Sequence, residues 1–139
     1  MAIQSITNGT MLSPKNDSGG DIYPYRCVAG KAQGTAYYPT ATGKDFLGVT
    51  LKDLRYEDGV TGDGKALSVQ VDGVVEIECT GVVAVFAYVK VTGTSGKVAS
   101  AGATDSLSVA TGALTPVVGI ALEAGNSSRI SVLLRPMLV

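Results

Sequence analysis

The chain has 139 residues, 45% of them apolar and 17% charged, with a net charge of −1. That is long enough for one domain with its own core, and the composition is that of a folded chain. The absence of a basic run argues against nucleic acid as a partner, and the longest apolar run, "VVAVFAYV" at 82–89, is too short for a helix that spans a membrane.

The opening "MAIQSITNGTM" has neither the positive n-region nor the apolar h-region of a signal peptide, so the chain reads as one made in a cytoplasm. Ile3, Ile6, Met11 and Leu12 are spaced too irregularly for a helix. Residues 1–20 therefore read as an extended N-terminal arm, suited to lie on a neighbouring subunit, or as a first strand. "NDSGGD" at 16–21 is a turn. "IYPYRCVAGK" at 22–31 reads as an aromatic strand, and "TAYYPT" follows with Tyr37 and Tyr38 beside Pro39. Tyrosines beside proline bring large area at low entropy cost to an interface, or they cap a core.

"DFLGVTLKDL" at 45–54 predicts a strand from about 46 to 51 with Gly48 inside it. "YEDGVTGDG" gathers Glu57, Asp58 and Asp63 but lacks the alternating ligand spacing and distal Glu of a calcium loop, so a solvated turn is expected. "ALSVQV" and "GVVEIEC" alternate apolar and polar positions, and Asp72-Gly73 between them predicts a tight hairpin. Glu76 and Glu78 share a strand face, the wet face of an amphipathic strand rather than an acid/base pair. A Gly/Thr/Ala-rich loop separates "VFAYVKVTGT" from "PVVGIALEAG", which carries Gly119, and "RISVLLR" closes the series.

The chain has no His, which removes Ser-His-Asp and Cys-His nucleophiles and His-ligated zinc. Cys27 and Cys79 lie in apolar, strand-like runs and read as free buried thiols, with a single disulfide left open. No nucleotide- or cofactor-binding motif is present, and no cofactor or enzymatic activity is expected.

Two stretches echo one another. Tyr25, Val28 and Gly30 match Tyr88, Val91 and Gly93; Gly48 matches Gly119; "ALSVQV" matches "RISVLL". The ordered series predicts an all-β protein, a small barrel or sandwich built from pseudo-duplicated β-units at about 22–79 and 82–135. Glycine inside an apolar strand is tolerated where another backbone crosses closely or the strand bends, so Gly48 and Gly119 are expected at equivalent bends.

The second half, with "GKV" at 96–98, an Ala/Thr/Gly loop, "VGIALEA" at 118–124 and a last strand between Arg129 and Arg135, resembles the decoration (cement, head-stabilisation) proteins of tailed-phage capsids. "FLGVTL" and "VDGVVEIE" resemble that family's earlier strands. The resemblance implies a non-catalytic protein on the outer surface of an assembled phage head. Its partners would be the major capsid (coat) protein and itself, as a homotrimer in preference to a homodimer. Nucleic acid and membrane are not expected. Ile3, Ile6, Met11, Tyr37 and Tyr38 are the expected contact residues. A carbohydrate-binding or adhesin-like β-module is the alternative, disfavoured by the lack of Trp and of a secretion signal.

Overall fold

In a computed structural model, which describes residues 9–39, 45–101 and 116–138, the chain is all-β, with no helix among the described residues. The first six strands are β1 (Met11–Leu12), β2 (Lys15–Asn16), β3 (Cys27–Gly30), β4 (Thr35–Tyr37), β5 (Phe46–Thr50) and β6 (Val69–Gln70). They form one sheet in the order β1-β6-β5-β3-β4-β2. A second sheet, in the order β10-β9-β11-β13-β7, takes β7 (Gly73–Glu78), β9 (Tyr88–Thr92), β10 (Lys97–Ser100), β11 (Pro116–Ala121) and β13 (Arg129–Leu138). β8 (Val82–Val83) and β12 (Gly125–Asn126) make a short ribbon.

Both sheets curl until their outer strands meet. In the first, β1 pairs antiparallel with β6, the chain turns at the buried Pro14, and β2 pairs parallel with β4 while Lys15 also bridges Ala66. In the second, β7 pairs antiparallel with β13, and a parallel bridge joins Cys79, just past the end of β7, to Val98 in β10. Successive strand residues point to opposite faces. Cys27 and Val28 are nevertheless both fully buried, because each face of β3 meets a different core. Val28 joins Ile22, Ala36, Leu67 and Val69 inside the first sheet. Cys27 and Val49 instead join the second core, with Val75, Ile77, Val118, Ile130 and Val132 among its members.

The two sheets follow one plan. The strand order β4-β3-β5-β6 of the first corresponds to β10-β9-β11-β13 of the second. Backbone hydrogen bonds correspond as well. Tyr25 N–H donates to Thr50 C=O at 2.8 Å, and Phe86 N–H to Ala121 C=O at 2.7 Å. Leu51 N–H donates to Ser68 C=O at 2.9 Å, and Leu122 N–H to Ser131 C=O at 2.8 Å. Asp17 N–H donates to Ala36 C=O, and Thr80 N–H to Val98 C=O, both at 2.8 Å. Tyr25 and Phe86 even share a left-handed backbone, with φ of 63° and 65°. The structural counterpart of Tyr25 is therefore Phe86, not Tyr88. Matching tyrosine to tyrosine slides β9 by two residues, a slip that keeps the alternation intact and so leaves no trace in the hydrophobic pattern.

Gly48 and Gly119 occupy one position in this plan. Gly48 lies opposite Val28 and Gly119 opposite Val89, and each adjoins a register shift in its strand pair. A Cβ on Gly48 would lie 2.4 Å from the Gln70 carbonyl oxygen and 2.7 Å from Val69 Cγ1. A Cβ on Gly119 would lie 2.2 Å from the Leu133 oxygen and 2.9 Å from Val132 Cγ1.

Two expectations are corrected. Asp72-Gly73 is not a hairpin: Gly73, at φ 81°, turns the chain out of the first sheet, so that β6 pairs with β5 and β1 while β7 pairs with β13. β7 therefore belongs with the second sheet, and the units run from β1 to β6 and from β7 to β13 instead of dividing after Cys79. Of the two readings of the N-terminus, arm or first strand, residues 11–16 take the second and close the first sheet as β1 and β2. Ile3 and Ile6 lie outside the described residues.

Candidate interaction surfaces

Of the side chains singled out for chemistry, Glu76, Glu78 and Asp63 are engaged in structural contacts. Glu78 Oε2 is 3.2 Å from the Arg26 guanidinium, and Glu76 is 3.9 Å from Arg129. Asp63 Oδ1 accepts a 2.9 Å hydrogen bond from Gly19 N–H and so ties two turns together. No cluster of His, Cys, Asp and Glu able to hold a metal occurs among the described residues. Cys27 and Cys79 are both free and buried, and burial pushes the Cys27 thiol far above its ordinary value. Asp53, which the sequence did not single out, is buried and accepts from Arg55 Nε at 2.8 Å and from Arg55 N–H at 3.0 Å. The Arg55 hydrogen bonds hold its carboxyl below the usual aspartate range, against the opposing effect of burial. The signal available in the sequence was the Asp-x-Arg spacing of 53–55.

Between the units, residues 25–27 enter the seam where β7 and β10 diverge. Glu78 N–H donates to Tyr25 C=O at 2.9 Å, and Cys27 N–H donates to Gly96 C=O at 2.7 Å. Gly96, at φ 77°, packs so tightly on this segment that a Cβ would sit 2.4 Å from Cys27 O. Arg26 reaches Ser95 C=O at 3.0 Å, and the Arg129 guanidinium lies 4.1 Å from the centre of the Tyr25 ring, a close cation–π contact. A groove of about 620 Å³ opens beside this junction, lined by Asp21, Tyr23, Arg26, Asp58 and Arg129 among others.

Two apolar grooves and one apolar ridge also occur among the described residues. A groove of about 320 Å³ runs between Met11, Tyr25, Leu51, Val74 and Val75. A second, of about 350 Å³, is lined by Leu12, Pro14, Ala32, Gly34, Thr35 and Leu47. The ridge is on the second unit: Val82 is 73% and Phe86 72% exposed, with Val85 and Tyr88 beside them in sequence and also exposed. In the sequence 82–89 is one continuous apolar run. The turn at 84–87 breaks it and swings its large side chains outward, and the positive φ of Phe86 is not visible in the sequence.

Of the contact residues read from the sequence, Met11 is exposed and borders the first apolar groove. Tyr37 is half-buried, with Lys31 Nζ 5.8 Å from its ring centre. Tyr38 packs against the first core, and its hydroxyl accepts from Tyr23 N–H at 2.8 Å, so it caps the core. The two tyrosines line none of the three grooves.

No protein-family model matches the chain, and no curated protein matches its sequence. Among solved structures it is similar to the head fiber gp8.5 N base of bacteriophage phi29, with 17% identity and a TM-score of 0.60. The similarity covers 91% of this chain and 95% of that one, and it shows a shared fold.

Proposed function

We propose that the protein is a structural component of a tailed-phage head: a decoration protein that binds the outer surface of the assembled capsid and strengthens contacts between coat subunits. The observation that supports this most is the fold shared with a phage head-fiber base over nearly the full length of both chains. The decoration-like motifs at 96–98 and 118–124 point the same way. In this reading the protein has no catalytic role, its partners are the major capsid protein and further copies of itself, and the copies form a homotrimer. Many modest contacts repeated by symmetry supply avidity that no single contact has. Met11 and Tyr37 are contact candidates on the described surface, with Ile3 and Ile6 at the N-terminus. Tyr38 contributes by capping the first core, its hydroxyl accepting from Tyr23 N–H.

The test is binding of the purified protein to heads of the phage that encodes it, assembled without it. Cryo-electron microscopy should show added density at fixed lattice positions, and the loaded heads should withstand heat better than bare ones. Absence of binding to heads, together with binding to a defined sugar on a glycan array, would refute the reading in favour of a carbohydrate-binding module.

A further inference from the structure

We infer that the exposed ridge around Phe86 docks on the first unit of a second copy of this chain, over the groove of Leu12, Pro14, Gly34 and Leu47. The inference extends the junction that already exists inside the chain. There, residues 25–27 of the first unit sit on the second unit, against the turn at Ser95 and Gly96 and the end of β7. Each side of that junction has a counterpart on the other unit, and no described residue of the chain docks on either counterpart in the way that 25–27 docks on the second unit.

On the docking side, the counterpart of Tyr25 is Phe86. Tyr25 is half-buried under Arg129 and its carbonyl is bonded by Glu78 N–H, whereas Phe86 is 72% exposed and its carbonyl has no hydrogen bond among the described residues. On the receiving side, the matched strand registers pair Val75 with Leu12, Val118 with Leu47 and Gly96 with Gly34. Val75 and Val118 are buried in the core that takes Cys27 and Val49, while Leu12 is 41% exposed and Leu47 half-buried at the groove. A Cβ on Gly96 would run into the Cys27 backbone, whereas a Cβ on Gly34, which also has a left-handed φ, would meet nothing within 4 Å.

One difference sets how the second contact is made. In the first unit the seam is closed on itself, Lys15 N–H donating to Gly34 C=O at 2.8 Å, where the second unit has residues 25–27 inserted. The incoming ridge therefore lies over the groove with its side chains inward rather than entering the seam as a strand. The donor is on one unit and the acceptor on the other, so the contact is heterologous, and copies joined this way close into a ring or continue as a filament.

The experiment uses the purified full chain without heads, so its outcome is separate from that of the capsid reading. Wild type, Phe86→Glu, Leu12→Glu and an equimolar mixture of the two variants are compared by sedimentation velocity, with circular dichroism to confirm folding. Wild type should self-associate below about 1 mM, the weak end of specific association. Each variant alone should associate at least tenfold more weakly. The mixture should form pairs and stop there, because an intact ridge on one chain can meet an intact groove on the other only once. A wild type monomeric at that concentration, a Phe86→Glu chain that associates like wild type, or a mixture that stays monomeric would each overturn the inference.

Discussion

Adding one methyl group at Gly119 tests the strand crossing on which the second sheet is built. The Cβ of Gly119→Ala would lie 2.2 Å from the Leu133 carbonyl oxygen, with Val132 Cγ1 at 2.9 Å behind it. Carbon–oxygen contacts between strands settle at about 3.3 Å or more, so β11 and β13 must part by about 1 Å. The obstacle is backbone in a paired strand, not the end of a mobile side chain. Overpacking of this kind costs about 1–3 kcal/mol, against which alanine recovers about 0.4–1 kcal/mol by restricting the unfolded chain. A net loss of about 1.3 kcal/mol is expected, or roughly 4 °C in melting temperature for a chain of 139 residues. Urea denaturation should show a lower midpoint with an unchanged m-value. Gly48→Ala meets the matching carbonyl at 2.4 Å and should lose a similar amount. Gly30, also in a strand, has nothing within 4 Å of its Cβ position and an ordinary φ, so Gly30→Ala should be neutral or stabilising by up to ~1 kcal/mol. If Gly119→Ala and Gly30→Ala fell within ~0.5 kcal/mol of each other, the close crossing would not be what holds glycine at 119.

Gly96→Ala should destabilise more than either strand variant, by about 2–4 kcal/mol, because it combines a positive φ with a contact against Cys27 O; a melting temperature equal to wild type would contradict the tight junction between the units. Both thiols should resist a disulfide reagent in the native protein at pH 8 and react fully in denaturant, since they are buried and burial disfavours the Cys27 thiolate; labelling of Cys27 within seconds in native buffer would disprove this. The Asp53 carboxyl is held below its unfolded value of about 3.9, so its contribution is complete above that pH and is lost as pH falls through the folded pKa. Asp53→Asn should accordingly lower stability at neutral pH and flatten its acid-side decline, and a variant with the wild-type slope below pH 4 would count against the assignment.

Alternation made the strands legible. The pattern in 66–71, 73–79 and 129–135 placed Val69, Val75, Ile77, Ile130 and Val132 inside, where they are. The glycine phrases at 48 and 119 were legible because a missing side chain in an apolar run needs a local cause, and that cause is a neighbouring carbonyl in both places. Sheet membership was not legible. Asp72-Gly73 carries good hairpin chemistry, and only long-range pairing of β7 with β13 decides against it. The ridge at Phe86 was hidden for a related reason. An apolar run reads as core until a turn is placed in it, and the turn at 84–87 has no glycine, proline or asparagine to announce it.

The inserted segment at 25–27 also gives the chain a direction in time. The first unit closes its seam with its own Lys15 and Gly34, so the hydrogen bonds of that seam can form as soon as the N-terminal half has left the ribosome. The second unit has no such independence: its seam and part of its core wait for Tyr25, Cys27 and Val49, all of which are synthesised earlier. Vectorial synthesis thus delivers the pieces in the order in which the structure needs them, with the first half ready as a template for the second.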